Sequence, residues 1–238
     1  RIWKAPGRDL WILYEKEGWK QLEARLKKVQ HVATLGANPR FIDFLGMYTN
    51  PARADLIQRM KDTNPSLELL DLRTHLSRMR MFKQEVELAA IQEAIDITVS
   101  TLKEVLRPKQ LAKYAYEYEI EADLTRGFRR QGGAGLLGHA FPPIVASGER
   151  TCTMHHIQNS APLVTGEVLI LDVGAQSGSY ASDIARTVVL GGHPSRRQQL
   201  VYDAVLEAQE YAFSLLKPGL IVRNYEKQME EFIGEKLR

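Results

Sequence analysis

The feature that most constrains this chain is the stretch Val168–Leu190, in which two apolar, β-branched runs flank small residues around Ser177-Gly178. Two such runs joined by a short small-residue segment are typical of a β-hairpin. If Ser177 and Gly178 form a two-residue turn, Asp172 lies directly opposite Asp183. Directly opposed Cβ atoms are about 4.5–5.5 Å apart, and like charges at that distance destabilise the pair. The hairpin therefore needs something that offsets two facing carboxylates.

A divalent cation is one way to stabilise Asp172 and Asp183. The first strand is nearly all apolar, which predicts burial on both faces, where an unpaired carboxylate is costly. Carboxylate oxygens are ligands that hard divalent cations prefer. The alternative is that one aspartate caps a turn while the other faces water, because a one-residue bulge would point the two side chains apart.

The hairpin is one part of a longer ordered pattern. The segments that precede, contain and follow its aspartates are Ile144–Glu149, Met154-His155-His156, Asn159, Gly166–Asp172 and Ser182–Thr187. This order resembles the pita-bread metallopeptidases, in particular the Xaa-Pro aminopeptidases and the related prolidases, over about residues 80–238. The resemblance implies that Asp172 and Asp183 are ligands of a two-metal centre, with manganese expected and cobalt or zinc as alternatives. It also implies that His155 is a catalytic residue that contacts substrate near the metals.

The function that this resemblance implies is hydrolysis of an N-terminal Xaa-Pro bond by a hydroxide activated between two metals. The expected partners are a peptide substrate with proline at its second position and other copies of the same chain, in a dimer or tetramer. The alternatives are a prolidase that cleaves Xaa-Pro dipeptides and a non-catalytic binding module on the same fold. The family's remaining ligands, one His and two Glu, do not appear before Arg238. We therefore expect an incomplete piece of the enzyme that is inactive by itself.

The pattern of elements predicts an α/β (α+β) chain with two parts. Residues 1–79 are expected to be the end of an N-terminal α/β domain, and residues 80–238 the first half of a pita-bread catalytic domain. The predicted elements are helices from Trp19 to Lys28, from Asn50-Pro51 onward with Asn50 as cap, from Glu85 to Leu106, from Leu111 to Arg130, from Ser195 to Leu216 and from Val222 to Arg238, with a strand at Leu67–Asp71. Tyr114, Tyr118, Ala122 and Phe128 are the expected buried face of the Leu111–Arg130 helix.

Composition limits the classes of partner. A net charge of +3, with Lys and Arg scattered among acids, does not favour a nucleic-acid partner, and Arg126, Arg129 and Arg130 are expected on a solvated helix face. No apolar run reaches the ~18 residues of a membrane span, so no membrane segment is expected. The single cysteine, Cys152, excludes an internal disulfide and fits a reducing, cytoplasmic location.

Other motifs do not support a competing chemistry. A G-x-G-x-x-G match is present at Gly133, Gly135 and Gly138. A dinucleotide loop follows a strand and opens a helix, whereas here a predicted helix comes before the glycines, so we reject this interpretation. We expect these glycines to form a flexible loop beside the substrate cleft. Cys152 with His155 suggests a thiol nucleophile, although a lone cysteine is more typical of a small buried hydrophobe. Adjacent residues of a strand face opposite sides, so only one of His155 and His156 is expected in the cleft.

Overall fold

The computed structural model describes residues 3–4, 11–12, 15–36, 51–135 and 138–236 of the 238-residue chain. The chain forms two compact units, Arg1–Lys83 and Gln84–Arg238. The predicted cap Asn50 lies outside the described residues. Among the helices that are described, none is long and apolar enough to cross a membrane.

The first unit mixes short strands with helices. Its elements are β1 (Trp3–Lys4), β2 (Trp11–Ile12), α1 (Glu15–Leu26), β3 (His31–Thr34), α2 (Ala52–Thr63), β4 (Glu68–Asp71) and α3 (Arg73–Met81). Strands β3 and β4 pair in parallel, as strands do when a helix connects them. A small core of Leu26, Met60 and Leu67 joins α1, α2 and the start of β4.

The second unit contains two long helices, a three-stranded sheet and a helical pair. Its elements are α4 (Glu85–Val105), α5 (Pro108–Leu111), α6 (Glu117–Arg130), β5 (Ile144–Ser147), β6 (Val168–Val173), β7 (Gln176–Ser177), β8 (Tyr180–Ala181), β9 (Ile184–Val189), α7 (Arg196–Leu215) and α8 (Val222–Lys236). Ser195 caps α7 as predicted, because its hydroxyl accepts from the Gln198 amide while the Gln198 side chain accepts from the Ser195 amide.

Helix α6 begins later than predicted, at Glu117 instead of Leu111. The residues before it pair with a distant segment: the Leu163 amide donates to the Ala115 carbonyl, and the Glu117 amide donates to the Ala161 carbonyl. These tertiary hydrogen bonds take the backbone groups that a longer helix would use. The predicted buried face was also wrong for Tyr118 and Ala122, which are exposed, since the buried stripe is Glu117, Ile120, Leu124, Gly127 and Phe128.

The sheet has the order β5-β6-β9, and all its pairs are antiparallel. Along β6 the buried residues Leu169, Leu171 and Val173 alternate with partly buried ones, and they pack with residues of α4 and α6 in one core. The expectation that both faces of this strand are buried was therefore wrong. The less buried face carries Asp172, so the core positions the aspartate from behind while its side chain lines a cavity.

Candidate metal centre

Asp172 and Asp183 are close to each other, but they are not directly opposed. In the ladder between β6 and β9, Asp172 faces Ala185, and at the hairpin tip Ser177 faces Tyr180. The two-residue turn is therefore Gly178-Ser179, one position later than predicted. The reason is glycine: Gly178 has a φ of 56°, and hairpin turns that need a positive φ at their first central residue place Gly there.

The corrected register keeps both aspartates on the same face of the sheet. A shift of two residues on the partner strand preserves the side to which a side chain points. Asp183 is thus the diagonal neighbour of Asp172, a position where longer side chains remain within reach. Both aspartates line a cavity of about 410 Å³. The other lining residues are Phe141, Pro142, Ile144, His155 and Ile157.

The electrostatics of the pair fit a cation site. Burial raises the pKa of Asp172, and the charge of Asp183 and a hydrogen bond between the two carboxyl groups raise it further, while His155 acts in the opposite sense. Asp172 Oδ1 is buried and has no hydrogen-bond partner among the described residues. A divalent cation would satisfy that oxygen and remove the repulsion, so two carboxylates here suit a hard cation. In the described ranges, no three His, Cys, Asp or Glu side chains come together as a cation site.

His155 reaches the cavity from a loop. The prediction that it lies on a strand was wrong, because residues 153–160 form a turn and irregular backbone. His155 has a φ of 53°, in the left-handed region that is unfavourable for a side chain with a Cβ atom. Its neighbour His156 points elsewhere, with Nε2 3.3 Å from Glu117 Oε2 and a side chain that is 10% exposed. Of the two histidines, His155 is the one that lines the cavity.

A pair of buried hydroxyls fixes the hairpin beside Asp183. Ser182 Oγ lies 2.7 Å from Thr98 Oγ1 of helix α4, and the Ala175 amide donates to both hydroxyl oxygens. Ser182 also donates toward the Ala94 carbonyl. Thr98 was not predicted from the sequence, although a threonine on the buried face of an amphipathic helix is a detectable signal.

Two acidic residues of α6, Glu117 and Glu121, were not predicted as part of the site's surroundings, and Asn159 was named in the sequence pattern without a role. Glu117 is fully buried and contacts the loop that carries His155. Asn159, with a φ of 45°, donates to Glu121 Oε2 and to the Pro143 carbonyl. Glu117 could have been recognised in the sequence, because it precedes Ile120 by one helical turn and so stands on an apolar stripe.

The glycine-rich run lies against the hairpin tip. The Ala134 amide donates to the Gln176 carbonyl, and the Gln176 amide donates to the Gly138 carbonyl. This arrangement follows helix α6 and does not open a helix, in agreement with the rejection of a dinucleotide loop. Cys152 is exposed, so the expectation that it is a small buried hydrophobe was wrong.

Comparison with known proteins is consistent across sequence and structure. The family model "Metallopeptidase family M24" matches residues 89–237. Xaa-Pro aminopeptidase 1 of Streptomyces coelicolor is 32% identical over 168 residues, which is 70% of this chain and 33% of that protein. The Xaa-Pro aminopeptidase of Haemophilus influenzae is 36% identical over 152 residues, which is 64% of this chain and 34% of that protein. The chain thus spans about a third of the length of the curated relatives it matches.

Two solved structures share the fold. The X-Pro aminopeptidase of Thermotoga maritima superposes with a TM-score of 0.74 at 28% identity, over 92% of this chain and 56% of that one. The Xaa-Pro dipeptidase of Bacillus anthracis superposes with a TM-score of 0.72 at 24% identity, over 91% of this chain and 56% of that one. The fold is therefore the one found in aminopeptidases P and in a dipeptidase.

Proposed function

The chain belongs to metallopeptidase family M24, and from this premise we propose that it is part of an Xaa-Pro aminopeptidase. The reaction would release the N-terminal residue of a peptide whose second residue is proline. The names of the relatives support this substrate class. The observation that carries the proposal is the cavity in which Asp172, Asp183 and His155 meet.

Asp172 and Asp183 are the proposed holders of two divalent cations, with Mn²⁺ expected and Co²⁺ or Zn²⁺ as alternatives. When bound, such ions lower the pKa of water and polarise a scissile carbonyl. The unpartnered Oδ1 of Asp172 supports this role, because a buried carboxylate oxygen without a donor is costly. The chain's own contribution is to keep the two carboxylates on one face of a hairpin whose back is packed in the core.

His155 is the proposed donor to the substrate. Its ring lines the same cavity as the carboxylates, where it can donate a hydrogen bond to the scissile carbonyl oxygen and to the oxyanion that develops there. Phe141, Pro142 and Ile157 form apolar walls of this cavity.

A prolidase is the second candidate, favoured by the fold shared with the B. anthracis Xaa-Pro dipeptidase. The two activities differ in whether the site must recognise the free carboxylate of a dipeptide. A binding module without catalysis is less well supported, since it has no need of two neighbouring carboxylates that raise each other's energy.

The test uses a longer protein that contains this chain and has the full length of the curated relatives. This protein is loaded with Mn²⁺. We expect it to cleave an Xaa-Pro tripeptide, and Asp172→Asn and Asp183→Asn to abolish both cleavage and stoichiometric metal. Cleavage of Xaa-Pro dipeptides alone would establish the prolidase. Full activity in both asparagine variants would refute the metal assignment. The 238-residue chain, assayed alongside, is expected to show no turnover because two carboxylates leave the cations incompletely held.

A further inference from the structure

The carboxylate of Glu117 connects both ends of the loop that carries His155. Oε1 accepts hydrogen bonds from the amide and the hydroxyl of Ser147, at 2.8 and 2.7 Å. Oε2 accepts from the Ala161 amide at 2.9 Å and lies 3.3 Å from Nε2 of His156. Ser147 precedes the loop, Ala161 follows it, and His156 is the residue next to His155.

These contacts supply the hydrogen-bond donors that a buried, ionised Glu117 carboxylate needs. The side chain has no exposure to solvent, and burial without partners would favour its neutral form. Burial does raise the pKa of Glu117, but the hydrogen bonds from Ala161, Ser147 and His156 outweigh it and lower the pKa overall. The ionised form is the better acceptor, and the donors of Ser147 and Ala161 lie 2.7–2.9 Å from its oxygens.

The loop begins with a short 3₁₀ helix, Gly148–Cys152, and beyond it hydrogen bonds fix its path more than apolar burial does. Met154 is 86% exposed and Ile157 is 57% exposed, so the segment beside His155 buries little apolar surface. A segment with few buried contacts opens easily unless hydrogen bonds hold it. The left-handed backbone of His155 makes such hydrogen bonds more necessary, because an unfavourable φ persists only where the surrounding structure holds it.

Asn159 provides a second attachment on the same side. Its Oδ1 accepts from the Val145 amide, and its Nδ2 donates to the Pro143 carbonyl and to Glu121 Oε2. Glu121 follows Glu117 by one turn of α6, so both attachments start from the same helix. The helix and strand β5 thereby form a rigid frame around the loop.

We propose that Glu117 is a positioning residue that sets the place of His155 in the cavity by fixing Ser147, His156 and Ala161 on one carboxylate. The kinetic consequence of this inference rests on the proposed peptidase function, whereas the structural consequence does not. Glu117 does not touch the cavity itself, since it is absent from the residues that line it.

The decisive variant is Glu117→Gln, which keeps the shape but replaces one oxygen by an NH₂ group. That group is a donor, and it would face the donors of either Ser147 or Ala161. Glu119→Gln is the matched control on the same helix, since Glu119 accepts only from the Ala115 and Tyr116 amides ahead of α6.

The first readout is nuclear magnetic resonance on the metal-free 238-residue chain. In Glu117→Gln we expect the ring signals of His155 to shift and broaden and the Ala161 amide to exchange faster, while Glu119→Gln keeps both. The second readout is kinetics on the Mn²⁺-loaded protein of the relatives' length. There we expect kcat to fall by about 10²-fold, the loss expected for a misplacement of about 1 Å, with metal content unchanged.

Three outcomes distinguish a positioning role of Glu117 from a purely structural one. If Glu117→Gln lowers only the melting temperature and leaves the His155 signals and kcat unchanged, the carboxylate is merely structural and the inference is overturned. If the wild-type protein cleaves no Xaa-Pro peptide, the proposed function fails, but the resonance readout still decides the position of His155. If Glu117→Gln does not fold, Ser147→Ala removes one contact, and unchanged His155 signals in that variant would also overturn the inference.

Discussion

Asp172 and Asp183 lie on the same face of the hairpin, offset diagonally by two residues, with Ala185 directly opposite Asp172. Both side chains border one cavity. The offset brings two carboxyl groups to one cavity without the direct opposition that destabilises like charges most. Asp172 lies in the ladder between β6 and β9, whereas Asp183 lies just before β9 begins at Ile184.

The first prediction concerns Asp172→Asn in the metal-free chain, which should be more stable than wild type at pH 7. Removing one of two interacting like charges is worth about 0.5 kcal/mol. The wild-type pKa is raised in the folded chain, so the folded state binds a proton at a pH where the unfolded state has lost it. Wild-type stability should therefore fall as the pH rises from about 4 through the folded pKa.

Urea unfolding at several pH values measures this difference. Asp172→Asn should lack this contribution to the pH dependence. Asp62→Asn is the control, because Asp62 accepts from Gln58 on the exposed side of α2 and no acidic residue stands within four positions of it in the sequence. A variant of Asp172 that is less stable than wild type at pH 7 would show that the pair is not repulsive.

The second prediction concerns added cations. Mn²⁺ at about 100 times its dissociation constant should stabilise the wild-type chain by about 2.7 kcal/mol, because it binds only the folded state. Asp183→Asn and Asp172→Asn should lose most of this shift, since each variant removes a charged oxygen ligand. Differential scanning fluorimetry with Mn²⁺ and with Ca²⁺ gives the measurement, and an equal shift in all three proteins would place the cation elsewhere.

The third prediction concerns His155→Ala and His155→Gly. In protein of the relatives' length, both should lower kcat by about 10²-fold, the loss seen when a donor to an oxyanion is removed. Metal content should stay at the wild-type value, and a parallel loss of metal and activity would make His155 a ligand instead.

The same two variants should separate in stability. Glycine adopts the left-handed backbone of this position without a clash, whereas alanine does not. His155→Gly should consequently be more stable than His155→Ala by about 1 kcal/mol. Equal stabilities would indicate that the loop relaxes once the imidazole is removed.

The fourth prediction concerns the contact between α4 and α6 at Gly127. A Cβ atom there would lie 2.4 Å from Cγ2 of Thr101, so Gly127→Ala must push the helices apart and should cost about 1–3 kcal/mol. Gly234 of α8 is the matched helical control, with no atom near the added carbon. Gly234→Ala should stabilise by about 0.5–1 kcal/mol, because alanine is the better helix former. Thermal unfolding of both variants measures these two changes in stability.

The sequence predicted best where a local signal agrees with the tertiary structure. Ser195 begins α7 because its capping box satisfies backbone donors within the segment itself. The start of α6 was misplaced because the Ala115 carbonyl is used by Leu163, a residue far along the chain, although Glu119 marks the start locally by accepting from the Tyr116 amide. The turn was misplaced by one residue because a glycine with a positive φ is accepted at either central position of a hairpin turn. Only the pairing of Ser177 with Tyr180 shows that Gly178 takes the first position.

The residues of the site also divide into those that local sequence order predicted and those that it did not. Asp172, Asp183 and His155 were identified from their order in the chain, and the structure brings the three to one cavity; their roles stay predictions. The surroundings were not identified, because Glu117 and Thr98 act on residues 30 and 77 positions away or more. Contacts over such separations leave no periodic pattern in the sequence.

The single carboxylate that fastens both ends of the His155 loop also separates two kinds of substitution. Thr153 and Met154 are exposed on the outer part of the loop, and neither is among the residues bonded to Glu117. Side chains at these positions, and with them the surface that an approaching peptide meets first, can therefore be changed while the contacts of Glu117 are kept. A randomised library confined to these positions is the natural starting point for changing which peptides are accepted.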